Sequence, residues 1–284
     1  MNLQHVDSAP ERGTIPPAPV VTRVIAVANQ KGGVGKTTTT VNLATALAAC
    51  GKQVLIVDMD PQGNASTGLG VAADKRGHSI YQVLLDSMPL SEAVSPTIVP
   101  GMDIIPSGVD LSGAELELID VTRREYRLRE AIQAVRGTYD FVLIDCPPAL
   151  GLLTLNALVS ADSVLVPLQA EFYALEGLSH LMRTIDRVRR GLNDRLSLQG
   201  VVLTMFDRRN NLCEMVAADV REYLGDRVYK TMIPRNVRVS EAPSHGKPVL
   251  LYDVRCAGAQ AYIRLAREIL QREQSLPGQA ALAS

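Results

Sequence analysis

The sequence predicts an α/β fold, a doubly wound and mostly parallel sheet with helices on both faces, and three observations predict it. Short apolar, β-branched runs of buried-strand type recur, at Val24 to Ala28, Val54 to Asp58 and Phe141 to Asp145. Helical patterns alternate with strand patterns and no linker interrupts them. The first run also empties into a glycine-rich loop that opens a helix, the arrangement of a phosphate-binding strand, loop and helix.

That loop reads Lys31-Gly32-Gly33-Val34-Gly35-Lys36-Thr37-Thr38, and helical apolar spacing runs from Thr37 to Cys50 before Gly51 ends it. Its glycines let the backbone take conformations that a side chain would block, so consecutive N–H groups can face phosphate oxygens. The start of the following helix adds partial positive charge. Lys36 is placed to reach the β and γ phosphates, and the Thr37 hydroxyl to bind Mg²⁺. Two features depart from the common pattern G-x-x-x-x-G-K-[ST]. Gln30 stands where its first glycine falls, and Lys31 is a second lysine where one suffices.

The second run ends in Asp58 and passes into Met59-Asp60-Pro61-Gln62-Gly63-Asn64, polar turn chemistry at a strand's carboxyl end. Open α/β sheets bind ligands at that edge. A carboxylate there holds a metal-bound water, orients an attacking one, or serves only as a turn cap. The third run ends in Asp145 and continues as Cys146-Pro147-Pro148. An apolar strand closed by one aspartate is the Walker B arrangement, in which the carboxylate meets Mg²⁺ through water. The two prolines stiffen the exit, so that a γ-phosphate contact can pass to the following segment.

Taken with Asn29 and Gln30, the loop resembles the deviant Walker A motif of the ParA/Soj chromosome- and plasmid-partitioning ATPases, in the wider group that includes MinD. In that family glutamine is usual at position 30. The resemblance extends from Val24 to Leu270. It covers Asp58 to Gln62 as D-x-D-P-Q, Asp145 to Pro148 as switch II, Val164 to Glu171 as a further strand, Ala174 to Leu178 as an interface helix, and the late blocks Ile233 to Arg238 and Ser240 to Pro248. Leu198 to Met205 gives another strand.

The resemblance implies a P-loop NTPase of the deviant Walker A type, with ATP and Mg²⁺ as cofactors. Residues 31–38 (Lys31, Gly32, Gly33, Val34, Gly35, Lys36, Thr37 and Thr38) would hold the phosphates, and Met205, Pro234 and Asn236 would border the adenine. Lys31 corresponds to the signature lysine that crosses a dimer interface to the partner's nucleotide. Lys31, Lys36 and Asp60 are then the catalytic set, with Asp60 positioning the hydrolytic water, and Thr37, Asp58 and Asp145 stand on the metal side. Arg209 and Arg238 fall where relatives carry DNA-binding arginines. The implied partners are a second copy of the chain, nonspecific double-stranded DNA and a ParB-like centromere-binding protein that stimulates weak intrinsic hydrolysis. The alternative is a MinD-like membrane-associated positioning ATPase. It would need a basic amphipathic C-terminal helix, and the end here is short, mixed in charge and broken by Pro277.

Composition agrees. The 284 residues are 46% hydrophobic, ample for a core, and run as one domain over 23–272. Residues 1–22 carry four prolines without helical periodicity and read as a disordered tail, and residues 273–284 are expected to form a flexible C-terminal tail. The start lacks a basic segment followed by an apolar run, and no apolar stretch approaches the roughly 18 residues of a membrane span, so a cytoplasmic, nucleoid-associated protein is expected. The four cysteines form no C-x-x-C pair, and three of them sit in apolar contexts and read as buried small hydrophobes, against the iron–sulfur branches of the superfamily. Aromatic content of 4% with no Trp argues against stacking platforms for single strands. Net charge is −1, but residues 183–238 hold twelve basic against seven acidic residues. Within them Arg183, Arg187 and Arg190 belong either to a solvated helix face or to a DNA patch.

Overall fold

The computed structural model describes residues 21–274. Seven strands form one sheet: β1 (Arg23–Val27), β2 (Val54–Asp58), β3 (Ser95–Pro96), β4 (Met102–Ile105), β5 (Phe141–Asp145), β6 (Ser163–Gln169) and β7 (Ser197–Thr204), in the order β3-β4-β2-β5-β1-β6-β7. Every pairing is parallel except that of the short β3 with β4. Strand order reverses beside β1, and such a switch point opens a crevice at the carboxyl ends of the strands. The phosphate loop leaves β1 there.

Residues alternate between the two faces of the sheet. Val24 and Ala26 of β1, with Val142 and Ile144 of β5, pack into one core layer, while Ile25, Val27, Phe141 and Leu143 pack into the other. Both layers are covered, which is why these strands are apolar throughout rather than alternating. One layer is closed by α1 (Lys36–Ala49) and, at the far end of the chain, α11 (Ala257–Gln274). Between β2 and β5 come α2 (Asn64–Gly68), α3 (Ile80–Leu85), α4 (Leu111–Glu117) and α5 (Arg127–Ile132). After β5 follow α6 (Leu152–Ser160), α7 (Ala174–Gly191) and α8 (Asn211–Leu224), and beyond β7 the short α9 (Val237–Glu241) and α10 (Val249–Tyr252). Helices α3 to α8 cover the other layer.

The domain is slightly longer at both ends than the sequence predicts. Thr22 is buried, donating its hydroxyl to the Tyr139 carbonyl (2.7 Å) and accepting from the Gly137 N–H (2.8 Å). Helix α11 continues through Gln274, and Glu273 is buried, paired with Arg23 (3.4 Å) and accepting from Gln199 (2.8 Å). The rest of both expected tails lies outside the described residues. Of the cysteines, Cys146 and Cys213 are buried, Cys256 is half-buried and Cys50 is exposed, because Cys50 caps the open end of α1 rather than its packed face. No helix among the described residues is long and apolar enough to cross a membrane.

Candidate nucleotide site

Gly33 (φ +75°) and Gly35 (φ +85°) turn the phosphate loop through the left-handed region. Gly35 is also the residue before α1, where no side chain caps the helix, so its first N–H groups stay available to a ligand. A Cβ built at Gly32 or Gly33 would meet nothing within 4 Å, so open space lies above the loop backbone. The loop is pinned from beneath. Asn29 donates to the Pro167 carbonyl (2.8 Å) and accepts from the Lys31 N–H (3.0 Å), and Thr204 at the end of β7 donates to the Val34 carbonyl (2.8 Å).

The two lysines differ in setting. Lys36 is buried and its Nζ donates to the Lys31 carbonyl at 3.2 Å. Burial lowers its pKa, against the opposing pull of Asp145, Cys146 and Asp60. Lys31 is exposed and its Nζ is ion-paired with Glu171, just beyond β6. One ammonium is thus committed to its own loop and the other is turned outward.

Asp58 and Asp145 are register partners on the adjacent strands β2 and β5, and both are fully buried. Burial first, then the charge of Asp58, raises Asp145 well above the usual carboxylate range, while Thr37 and Thr40 draw it back. Thr40 donates to Asp145 Oδ1 at 3.1 Å. The other oxygen, Oδ2, is buried without a hydrogen-bond partner. An orphaned carboxylate oxygen beside the Thr37 hydroxyl fits a hydrated Mg²⁺, a hard cation that takes oxygen ligands and keeps several waters. No cluster of three or more His, Cys, Asp or Glu side chains suited to a metal occurs among the described residues. Phosphate oxygens and water would have to complete the shell.

Asp60 is buried at the same edge, its Oδ1 accepting from the Gln62 N–H (3.0 Å), and it acts electrostatically on both Lys36 and Asp145. The structure therefore brings Lys36, Thr37, Asp60 and Asp145 together at one edge. Asp58 lies beside Asp145 and has further partners in the segment that follows β2. Both of its oxygens accept from its own turn, from the Asp60 N–H and from Ser66, and burial holds its pKa at about 6.

The expected adenine residues converge only in part. Met205 follows β7 directly with φ +48°, and next to it Phe206 bridges Pro234, which brings Met205 and Pro234 to one edge. Asn236 caps α9 by accepting from the Arg238 N–H (3.0 Å). Pro234 also lines an open cleft of about 830 Å³, together with Arg208, Arg209, Lys230, Arg235 and Arg264 and with Asp207 as its one acid. Arg209 is held bidentately by Asp207 (3.0 and 2.9 Å), and Arg238, on the neighbouring α9, by Glu241 (3.0 Å) and Asp253 (3.7 Å). On α7, Arg183, Arg187 and Arg190 are exposed opposite the buried Leu178, Leu181, Ile185 and Val188.

Glu171, Thr40, Ser66 and Thr204 carry no motif signal in the sequence, yet all four touch residues of the site. Thr40 was within reach, since it lies four residues after Lys36 and so on the same face of α1. The other three meet the site only through long-range packing.

The family described as an AAA domain matches residues 22–198. The chain is 62% identical over 261 residues to the chromosome partitioning protein ParA of Caulobacter vibrioides, covering 91% of this chain and 98% of that one. It is 53% identical over 247 residues to the sporulation initiation inhibitor protein Soj of Bacillus subtilis, covering 87% and 98%. Among solved structures it resembles a protein described as cobyrinic acid a,c-diamide synthase from Mycobacterium smegmatis, with bound ATP analogue and magnesium, at 40% identity and a TM-score of 0.79 over 90% and 97% of the two chains. With the deviant phosphate loop, the carboxylate-tipped strands β2 and β5 and these likenesses in hand, the chain belongs to the ParA/Soj family of partitioning ATPases.

Proposed function

We propose that this P-loop ATPase is a DNA-segregation switch. Bound to ATP and Mg²⁺ it forms a homodimer, binds double-stranded DNA without sequence preference, and is released when a ParB-like centromere-binding protein stimulates hydrolysis to ADP and phosphate. It would act in the cytoplasm, on the nucleoid, in chromosome or plasmid partitioning.

The observation that carries this reading is the division of labour between the lysines. Lys36 is buried in its own loop with Nζ on the Lys31 carbonyl, placed to serve the phosphates within one chain, whereas exposed Lys31 is paired with Glu171. An ammonium so placed is available to a second copy's nucleotide. A donor supplied in trans can be worth about 10³–10⁵ in rate, so a monomer lacking it stays idle. Magnesium, when bound between Thr37, Asp145 and the phosphates, would neutralise charge developing on the transferred group. The chain's own residues do the rest. Lys36 and the α1 N-terminus hold the phosphates, and Asp60 orients the attacking water from the carboxyl edge of β2.

Amide-forming synthase chemistry is the name attached to the M. smegmatis structure. The 62% identity over 91% of the chain to a partition protein outweighs that 40% likeness. The test is ATP turnover against protein concentration, with and without duplex DNA and a ParB-like protein. Turnover that rises more than linearly with concentration and is accelerated by both additions supports the switch, and turnover first-order in protein and indifferent to them removes it.

A further inference from the structure

Between β2 and α2 lies a set of polar contacts that no substrate contact accounts for. Asp58 is fully buried, yet three donors converge on it. The Asp60 N–H reaches Oδ1 at 3.2 Å, and Ser66 reaches Oδ2 through its N–H (2.9 Å) and its hydroxyl (2.7 Å). The Ser66 hydroxyl in turn accepts from the Ser107 N–H at 3.0 Å, joining the turn to the loop after β4. From the outer side the Arg76 guanidinium binds the Thr67 hydroxyl (2.8 Å), the Val71 carbonyl (2.7 Å) and the Ser107 carbonyl (3.1 Å). Gly63, at φ +61°, runs so close beneath it that a Cβ there would lie 2.4 Å from the guanidinium and 2.9 Å from the Ser107 carbonyl oxygen. The six-residue stretch from Asp58 to Gly63 is thus fastened at both ends, with Asp60 in its middle.

We propose that Asp58 is a positioning residue: by fixing the Asp60 N–H and Ser66 together it sets the aim of the Asp60 carboxylate on the attacking water, with Ser66 as its partner. A buried carboxylate receiving one hydrogen bond from the turn and two from α2 is a rigid anchor, because each donor would be left unpaired if turn and helix shifted apart. The Asp60 side chain is itself pinned by the Gln62 N–H at 3.0 Å, so the aim of its free oxygen follows the backbone. The alternative, that Asp58 serves the metal directly, would use the open lone pair of Oδ1, whose one hydrogen bond is from the Asp60 N–H.

The inference rests on the water-orienting role proposed for Asp60, and the experiment separates the two. Steady-state ATP hydrolysis is measured for Asp58→Asn, Ser66→Ala, the double variant and Asp60→Ala, each titrated with ATP and, separately, with Mg²⁺. Displacement of a reacting group by about 1 Å can cost about 10²-fold, so Asp58→Asn should lose about 10- to 100-fold in kcat with KM for ATP and half-saturating Mg²⁺ unchanged. Ser66→Ala, which removes one neutral hydrogen bond, should lose about fivefold. The double variant should be no slower than Asp58→Asn alone, since both act through one turn. A raised Mg²⁺ requirement in Asp58→Asn would make Asp58 a metal group and overturn the proposal. So would normal turnover by both single variants beside an inactive Asp60→Ala. Normal turnover by Asp60→Ala would remove the hydrolytic role of Asp60 and this inference with it. If Asp58→Asn melts early, Ser66→Ala decides alone by the same kcat, KM and Mg²⁺ readings.

Discussion

Lys31 Nζ is ion-paired with Glu171 at the mouth of the phosphate loop, the two side chains being 45% and 40% exposed. An exposed pair of this kind is worth about 0–1 kcal/mol, so it biases the lysine without locking it. Glu171→Gln should therefore lower the concentration at which ATP drives dimer formation by about fivefold at most. Light scattering against concentration checks it. A shift to higher concentrations would mean that Glu171 helps the dimer rather than competing for Lys31.

Lys31→Ala should leave ATP binding largely intact and abolish ATP-dependent dimerisation and hydrolysis. Lys36 remains in place, donating to the carbonyl of residue 31, and that contact survives the substitution because it uses the backbone. The lost charge matters mainly to the other subunit. Nucleotide titration and light scattering with ATP should show bound monomers. A stable ATP dimer of this variant would remove the trans role.

Asp60→Ala should bind ATP, dimerise and stop, accumulating on DNA. Phosphate and metal groups on α1 and β5 are untouched, and only orientation of the water is lost, an effect of about 10²-fold or more. Phosphate release and DNA co-sedimentation on one preparation test this. Hydrolysis at the normal rate would move the water-orienting role elsewhere, Asp145 being the nearest carboxylate acting on the same lysine.

The fourth prediction concerns pH. Burial and the neighbouring Asp58 raise Asp145 above its unfolded value, so folding favours its neutral form. The stability this contributes is present below the unfolded pKa near 4 and is lost as pH rises through the folded value. Asp145→Asn, neutral throughout, should accordingly melt higher than the parent in ligand-free form at pH 7–8, with the gain shrinking toward pH 4. It should also lose Mg²⁺-dependent hydrolysis. A melting difference that does not change with pH would contradict the assigned shift.

Much of this site is readable in sequence because its parts are consecutive. Strand, turn and helix start carry Lys36, Thr37, Asp60 and Asp145 within a few residues of an apolar run, and a buried parallel strand is the easiest element to see. Residues 64–140 are a different case. There α3, α4 and α5 span six or seven residues each among 3₁₀ turns, and β3 is two residues including Pro96, too short for either periodicity to register. Asp58 shows the other limit. The family resemblance places it on the metal side, while its partner Ser66 lies on α2 and is revealed only by folding.

The last prediction concerns DNA. Arg209→Ala and Arg238→Ala should each weaken ATP-dependent binding to any duplex without changing sequence preference, and together they should nearly eliminate it. Phosphate contacts supply nonspecific affinity through counterion release, and each one lost should reduce the salt slope by about one unit. Both arginines are already paired in the free chain, Arg209 with Asp207 and Arg238 with Glu241 and Asp253, so DNA must displace acids to reach them. Asp207→Asn should therefore tighten binding. Since the Arg209 hydrogen bonds hold the Asp207 pKa at about 2, that competition stays constant between pH 5 and 8. A monomer with few contacts binds weakly, whereas a dimer presents both patches to one duplex and gains by effective concentration. Titration of unrelated duplexes at several salt concentrations, with dimerisation measured on the same variants, decides the matter. Unchanged affinity and salt slope in the double variant would return Arg209 and Arg238 to an ordinary solvated surface and shift the patch to Arg183, Arg187 and Arg190 on α7.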